Sequence, residues 1–149
     1  AAALAHDAKL LLLDEPTNGL DPIVREEIVE LFSEFTRDES RSVLISSHIV
    51  SDLEKICDYA AFLHEGWLLL CEEKDRLLER CGIVHGTEAQ ISALDPAAVL
   101  GLRHAGYGAE ALAERRKIPA GMEITPAGLE DVFVFMVKDA RRAGARAAQ

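Results

Sequence analysis

Two adjacent carboxylates, Asp14 and Glu15, follow the four leucines Leu10 to Leu13 and precede Pro16. Four apolar residues are too few for an independent helix and are typical of a strand that is buried on both faces in a parallel sheet. Pro16 ends this strand because proline lacks the N–H that a sheet requires. Since open α/β sheets bind ligands at the carboxyl ends of their strands, we expect both acids at a ligand-binding edge.

The two acids could divide the work of phosphate hydrolysis. Asp14, at the end of the strand, could bind Mg²⁺ directly or through its water shell, because this ion prefers oxygen ligands. Glu15, one residue nearer the loop, could polarise an attacking water as a general base. The other interpretation is a strand end with two solvated acids, and the acid pair by itself does not decide between them.

The neighbouring residues resemble the motifs of one family. Leu10 to Thr17, followed by Asn18 to Pro22, resembles the Walker B strand and D-loop of ATP-binding-cassette (ABC) ATPases. Val43 to His48 resembles the strand and switch histidine of the same family, in the same order and with a helix between the two motifs. The Asn-Gly-Leu-Asp form of the D-loop and the segment Leu129 to Phe133 further resemble exporter-type subunits, which serve drug, antibiotic or ion efflux.

The resemblance implies a role for each of three side chains in an intact subunit. Asp14 would support Mg²⁺, Glu15 would activate the attacking water, and His48 would contact the γ-phosphate of ATP. Taken alone, a histidine after a strand is more often a hydrogen-bonded structural residue. The assignment of His48 therefore depends on its pairing with the Walker B motif.

The D-loop residues Asn18, Gly19 and Asp21 would, by the same resemblance, approach the nucleotide site across a dimer of two ATPase subunits. Asp21 also has a structural interpretation that follows from the residues themselves. An aspartate followed by Pro22 is a favourable helix start, because the carboxylate accepts from free N–H groups and proline is tolerated at the first helical position. The two roles are compatible.

The chain resembles only part of such a subunit. It begins Ala-Ala-Ala-Leu-Ala, which resembles the end of the helix that follows the signature loop of the family. It contains no Gly-x-x-x-x-Gly-Lys-Ser/Thr phosphate loop, whose backbone amides and lysine hold the nucleotide in P-loop ATPases. We therefore expect a C-terminal fragment that alone hydrolyses no ATP and binds it weakly or not at all. Its exposed strand edge and helix faces should lead to self-association, a domain swap or poor solubility.

The expected fold class is α/β. Residues 1–82 would be the C-terminal part of a P-loop NTPase parallel sheet with flanking helices, and 83–149 would be a small α+β C-terminal extension that ends in a closing helix. Ala1 to Ala5 would be the last turns of a helix. A second buried strand is predicted at Ser42 to Ser46, parallel to the first.

Periodicity predicts the other elements of residues 1–82. The helix after Asp21 would pack through one apolar face, and a short helix would follow His48. Two apolar runs around Glu65-Gly66 predict a hairpin at the sheet edge, with Trp67 in or near the core, and a helix would follow at 74–80. The face expected for the first helix consists of Val24, Ile28, Leu31 and Phe35.

Helical patterns are also predicted in the extension. Asp95-Pro96 would start one helix that ends at Gly106, residues 110–116 would form another, and Thr125-Pro126 would open the last. His85 and His104 are interpreted as isolated surface or packing residues, and the arginines beyond Lys138 as a solvated tail. The apolar stripe expected for the last helix consists of Leu129, Val132, Phe133, Met136 and Val137.

Composition excludes other functional classes. The formal net charge of −10 at pH 7 argues against a nucleic-acid surface, which needs clustered Lys and Arg. Cys57, Cys71 and Cys81 are odd in number and lack C-x-x-C spacing, so we interpret them as reduced thiols of a cytoplasmic protein. No apolar run approaches the roughly 20 residues that span a bilayer.

The resemblance also implies partners and a location. ATP and Mg²⁺ would be the cofactors of the intact subunit, and a second ATPase subunit would complete a dimer. A membrane-embedded permease subunit would use the energy, which places the protein at the inner face of the cell membrane. Two alternatives remain open: a soluble ABC ATPase without transport, and a non-catalytic dimerisation or regulatory module.

Overall fold

A computed structural model describes residues 7–106 and 108–147 of the chain. The helix end predicted at Ala1 to Ala5 lies outside the described residues, as do the side chains of the arginines in the tail. The chain divides into two compact units, Ala1–Cys57 and Asp58–Gln149. This division does not follow the boundary predicted at residue 82, which was based on family motifs and composition and stays a prediction.

The first unit is a strand-helix-strand arrangement followed by a short helix. Strand β1 (Leu10–Asp14) leads through a loop to helix α1 (Pro22–Phe35), strand β2 (Ser42–Ser46) and helix α2 (Val50–Ile56). The two strands pair in parallel, with Leu10 opposite Ser42 and Asp14 opposite Ser46. The predicted parallel pair is thus confirmed, and both strands end at the same edge.

Strand β1 is buried on one face only, and β2 is half-buried on one face and exposed on the other, which corrects the predictions that β1 is buried on both faces and that β2 is a buried strand. Leu11 is buried, whereas Leu10 and Leu44 are exposed and Leu12 is 69% exposed. The reason is that β1 and β2 form a two-stranded sheet, and no described element of this unit covers its second face. An exposed face of three leucines results.

Helix α1 starts as predicted, but the face that it buries is only partly the predicted one: Phe35 is buried as predicted and Ile28 is half-buried. Asp21 is its N-cap and Pro22 its first residue. Its buried side chains are Val29, Phe32 and Phe35, while the predicted Val24 and Leu31 are exposed. The helix has apolar residues on more than one side, so packing in the folded unit, rather than periodicity, decides which side is covered.

The second unit opens with the predicted hairpin. Strands β3 (Tyr59–His64) and β4 (Trp67–Glu73) pair antiparallel as a sheet of their own. Glu65 and Gly66 have φ angles of 50° and 83°, the left-handed values that a two-residue turn requires. Trp67 is 75% exposed, so its predicted core position is wrong. The residue lies beside the turn, where the described unit has no covering layer.

A four-stranded antiparallel sheet forms the rest of the second unit. The elements in chain order are α3 (Lys74–Arg80), β5 (Cys81–Gly86), α4 (Glu88–Ser92), β6 (Val99–Ala105), β7 (Gly108–Glu114), a 3₁₀ turn (Arg115–Lys117), β8 (Glu123–Pro126) and α5 (Leu129–Ala147). Helix α3 precedes the sheet at the predicted position. The strand order is β6-β7-β5-β8, and the core contains Val84, Ile91 and Leu94 together with small alanine side chains.

Two helices predicted in the extension are wrong. The segment after Asp95-Pro96 forms strand β6, and 110–116 lies mostly in strand β7. Alternate residues Ala109, Ala111 and Ala113 of β7 are buried in the core. Pairing of β7 with β5 and β6 therefore overrides the helix propensity of alanine, which is a weak local preference.

The last helix forms, with a later start than predicted. Thr125 and Pro126 belong to β8, and α5 begins at Leu129. Leu129 and Val132 are buried as expected, but the fully buried residue of the next turn is Phe135, which the predicted stripe omitted. A cation–π contact connects Phe135 to Arg103, whose guanidinium carbon lies 4.8 Å from the ring centroid.

A row of polar side chains crosses the four-stranded sheet, which corrects the interpretation of His85 as isolated. His85 Nε2 lies 2.9 Å from the Thr125 hydroxyl, and His85 Nδ1 lies 3.4 Å from Glu110. Arg103 Nε donates to the other Glu110 oxygen over 2.6 Å. Each strand thus contributes one member of a partly buried network. His104 is exposed, as expected, but it is not isolated either, because its Nδ1 lies 3.2 Å from Glu88 Oε1.

The cysteines form no disulfide within the described residues. Cys71 is exposed and Cys81 is buried. Burial raises the pKa of the Cys81 thiol, because a thiolate loses hydration in the protein interior. Cys81 is therefore expected to be unreactive in the folded protein.

The exposed leucine face generates a prediction about association. Replacing Leu12 by lysine should shift the isolated chain from associated species towards monomer, because a charge on this face opposes its burial between copies. Light scattering over a concentration series measures the change. Ser33→Lys adds the same charge to an exposed position of α1 and serves as the control. A monodisperse monomer formed by the unmodified chain would contradict the prediction.

Candidate functional site

The carboxyl ends of β1 and β2 bring the predicted chemical residues to one edge. The Glu15 N–H donates to the Ser46 carbonyl over 2.8 Å, which continues the parallel pairing by one residue. Glu15 then adopts a φ of 47°, a left-handed value that costs a non-glycine residue about 1–3 kcal/mol. This backbone conformation starts the turn into the D-loop.

Glu15 and His48 are in direct contact. The His48 backbone N–H donates to Glu15 Oε1 over 3.0 Å, and His48 Nδ1 lies 2.8 Å from Oε2. The Ser47 hydroxyl also approaches Oε2, at 3.4 Å. The His48 side chain is 66% exposed and that of Glu15 34%, so both are accessible from solvent. The structure therefore brings together the two residues that the sequence assigned to catalysis.

Asp14 lies beside this pair and offers oxygen ligands. It is opposite Ser46 in the strand register, and the Ser46 hydroxyl donates to its Oδ1. Within the described ranges, no group of three or more His, Cys, Asp and Glu side chains could hold a metal ion. Mg²⁺ commonly binds through one or two carboxylates and completes its shell with water and substrate phosphates, so a single exposed carboxylate fits this ion. We call Asp14, Glu15, Ser46, Ser47 and His48 the strand-end cluster.

The D-loop is shaped by its backbone and by its aspartate. The Asn18 N–H donates to the Glu15 carbonyl over 3.1 Å, which makes a tight turn directly after the cluster. Gly19 has a φ of 75°, where an L side chain is strained even though a Cβ would have open space. Asp21 Oδ1 accepts from the N–H groups of Ile23 and Val24, at 3.1 and 3.2 Å. The Asp21 carboxylate therefore acts as a helix cap, and the approach of the loop to a nucleotide stays a prediction.

A buried polar contact behind the cluster was missed by the sequence analysis. The Thr17 hydroxyl donates to Asp52 Oδ2 over 3.0 Å, and Arg25 Nε lies 3.7 Å from the same oxygen. The sequence does contain a pattern that indicates a buried polar contact here. Asp52 follows Ile49 by three residues and precedes Ile56 by four, which puts a charged residue on the apolar face of α2. Such a residue requires a buried polar partner.

Comparison with known proteins is consistent with this geometry. The family described as "AAA domain, putative AbiEii toxin, Type IV TA system" matches residues 1–51, the segment that contains Asp14, Glu15 and His48. Across the described residues, no helix has the length and apolar character needed to cross a membrane.

Similar curated proteins are ATP-binding proteins of transporters. The lantibiotic transport ATP-binding protein SrtF of Streptococcus pyogenes is 45% identical over 75 residues, which are 50% of this chain and 32% of that protein. The bacitracin transport ATP-binding protein BcrA of Bacillus licheniformis is 46% identical over 69 residues, 46% of this chain and 22% of that protein. An uncharacterized ABC transporter ATP-binding protein, YhcH of Bacillus subtilis, is also 46% identical over 69 residues, 46% of this chain and 23% of that protein. The matched segments thus span at most about a third of these relatives.

The cap geometry generates a prediction for Asp21. Asp21→Ala should lower the free energy of unfolding by about 1 kcal/mol, because two N–H groups of α1 lose their acceptor. Urea denaturation followed by circular dichroism measures the loss. Asp21→Asn keeps a side-chain oxygen and is the matched control, for which most of the stability should remain. Equal losses for the two variants would show that the charge of Asp21, rather than its cap, carries the effect.

Proposed function

This chain is related to the ATP-binding proteins of ABC transporters, and we propose that it forms the C-terminal part of the ATP-hydrolysing subunit of an ABC exporter. The observation that carries the proposal is the contact between Glu15 and His48 at the shared end of two parallel strands. These residues are 33 positions apart in sequence. A strand end with two merely solvated acids would not require this contact.

The proposed chemistry is phosphoryl transfer from ATP to water. Glu15 orients a water and accepts its proton as the oxygen–phosphorus bond to the γ-phosphate forms and the bond to the leaving ADP breaks. Each Glu15 oxygen has two lone pairs, so the contacts to His48 leave capacity for the water. His48 holds the Glu15 carboxylate and offers its imidazole to the γ-phosphate.

Asp14 would hold Mg²⁺, which when bound supplies charge neutralisation to the phosphates. The residue itself is oriented by the Ser46 hydroxyl, so its carboxylate is held at the end of β1. Asn18, Gly19 and Asp21 would extend the site towards a second ATPase subunit. Their turn begins at the Glu15 carbonyl, so a displacement of the loop would reach the general base directly.

The part that grips the phosphates would come from sequence outside these 149 residues. No phosphate loop occurs in the chain, and the curated relatives extend well beyond the matched segments. We place residues 1–82 in the ATPase core of the intact subunit and 83–149 in a C-terminal extension. The hydrophobic core of the four-stranded sheet is formed by residues within 84–124, which supports assigning this segment to an extension.

Export is proposed from the relatives that are named for lantibiotic and bacitracin transport. A membrane-embedded permease would be the partner that carries the substrate, and a second ATPase subunit would complete the dimer. The subunit would then lie at the inner face of the membrane without crossing it. The substrate would be selected by the permease.

A chimera tests the proposal. The 69-residue segment of the bacitracin transport protein that matches this chain is replaced by the corresponding segment of this chain. The chimera should hydrolyse ATP in a Mg²⁺-dependent reaction, whereas the 149-residue chain alone should not. Glu15→Gln in the chimera should lower kcat by about 100-fold or more, because a general base contributes roughly 10²–10⁴-fold.

Glu26→Gln is the matched control, because it makes the same change at an exposed acid of α1 and should leave kcat within about twofold of the parent chimera. His48→Ala should also reduce kcat. Turnover by the isolated chain, or a chimera whose kcat does not respond to Glu15→Gln, would contradict the proposed function.

A further inference from the structure

The Thr17–Asp52 contact lies next to both halves of the proposed catalytic pair in sequence. Thr17 follows Glu15 by two residues, and Asp52 follows His48 by four. Both are buried, with 3% and 6% of their surfaces exposed, and are the buried polar residues of the described part of the chain. Neither has a role in the chemistry proposed above, so their burial needs a separate explanation.

The Glu15–His48 contact alone is too weak to account for the conformation that Glu15 adopts. Glu15 has a φ of 47°, which is unfavourable for a residue other than glycine. The imidazole of His48 is largely exposed, so water competes for the same carboxylate and the contact contributes little by itself. Strained backbone of this kind persists only where the surrounding structure determines it from more than one direction.

We propose that Thr17 and Asp52 are positioning residues, whose buried contact holds the loop after β1 against the start of α2 and so keeps Glu15 in reach of His48. The contact is directional, because the Thr17 hydroxyl donates to Asp52 Oδ2. It is also shielded from water, unlike the contact that it supports. A role of Thr17 and Asp52 in catalysis rests on the proposed function, whereas their effect on the Glu15–His48 contact does not.

Arg25 is a third residue at this contact. Its Nε lies 3.7 Å from Asp52 Oδ2 and makes no hydrogen bond within the described residues, so it contributes charge attraction. The loop after β1, the first turns of α1 and the first turn of α2 thus meet at one carboxylate oxygen. A buried acceptor that loses its donor is costly, so removal of the Thr17 hydroxyl should displace the Asp52 side chain.

Hydrogen exchange of the His48 backbone amide in the 149-residue chain tests the inference, because this N–H donates to Glu15 Oε1. Thr17→Val removes the hydroxyl and keeps the shape of the side chain. We expect exchange at His48 to become about tenfold faster or more, through local opening rather than global unfolding. Thr17→Ser keeps the hydroxyl and should restore the rate of the unmodified chain.

Two further variants separate the possible outcomes. Phe35→Leu removes packing at the far end of α1, and should lower global stability without a specific acceleration at His48. An equal acceleration in Phe35→Leu and Thr17→Val would overturn the inference, since loss of stability alone would then account for it. If Thr17→Val does not fold, Thr17→Cys replaces it, because a thiol is a weaker hydrogen-bond donor than a hydroxyl. Exchange at His48 that is as slow in Thr17→Cys as in Thr17→Ser would then overturn the inference.

Glu15→Ala distinguishes failure of this inference from failure of the proposed function. It removes the acceptor of the His48 amide and must accelerate exchange if the contact exists in solution. An unchanged rate in Glu15→Ala would remove the observation on which the proposed function rests. Acceleration in Glu15→Ala together with an unchanged rate in Thr17→Val would overturn the positioning role alone.

Discussion

The register of the parallel pair β1 and β2 is the constraint on which the strand-end cluster depends. With Asp14 opposite Ser46, both strands reach the same edge at the same residue, and the Glu15 N–H pairs with the Ser46 carbonyl. A shift by one residue would move every side chain of one strand to the other face. If β1 shifted, buried Leu11 would move to the solvent-exposed face, and the acids would no longer lie opposite the Ser46–His48 segment.

Two polar contacts differ in their exposure to solvent: the Glu15–His48 contact inside the strand-end cluster and the Thr17–Asp52 contact behind it. The carboxylate and imidazole of Glu15 and His48 face solvent, as groups that receive a ligand must. Thr17 and Asp52 are enclosed, and a buried hydrogen bond is less exposed to competition from water. The solvent-accessible side chains of Glu15 and His48 thus lie on loops that the buried Thr17–Asp52 hydrogen bond can keep in position.

The two compact units illustrate different relations between sequence and fold. In the first unit, strong local signals agree with the structure: Pro16 and Pro22 at element boundaries, Asp21 as a cap and a run of leucines as a strand. In the second unit, alanine-rich segments such as β7 have helical propensity but form strands. Their small side chains fit between paired strands and a packed helix, and no local pattern contains that information. Trp67 was misjudged for a related reason, because a large apolar residue is buried only if another element covers it.

By itself, the sequence determined the chemical types and their order along the chain: the acid pair after a strand, the capped helix, the second strand and the histidine that follows. These are local features, set by proline, by caps and by apolar runs, and the expected meeting of Glu15 and His48 followed from them. Only the tertiary structure decided which face of α1 is buried, that β1 has one open face, and that Thr17 finds Asp52 35 positions away. The physical reason is that burial and buried hydrogen bonds depend on partners that are distant in sequence, whereas turns and caps depend on neighbouring residues.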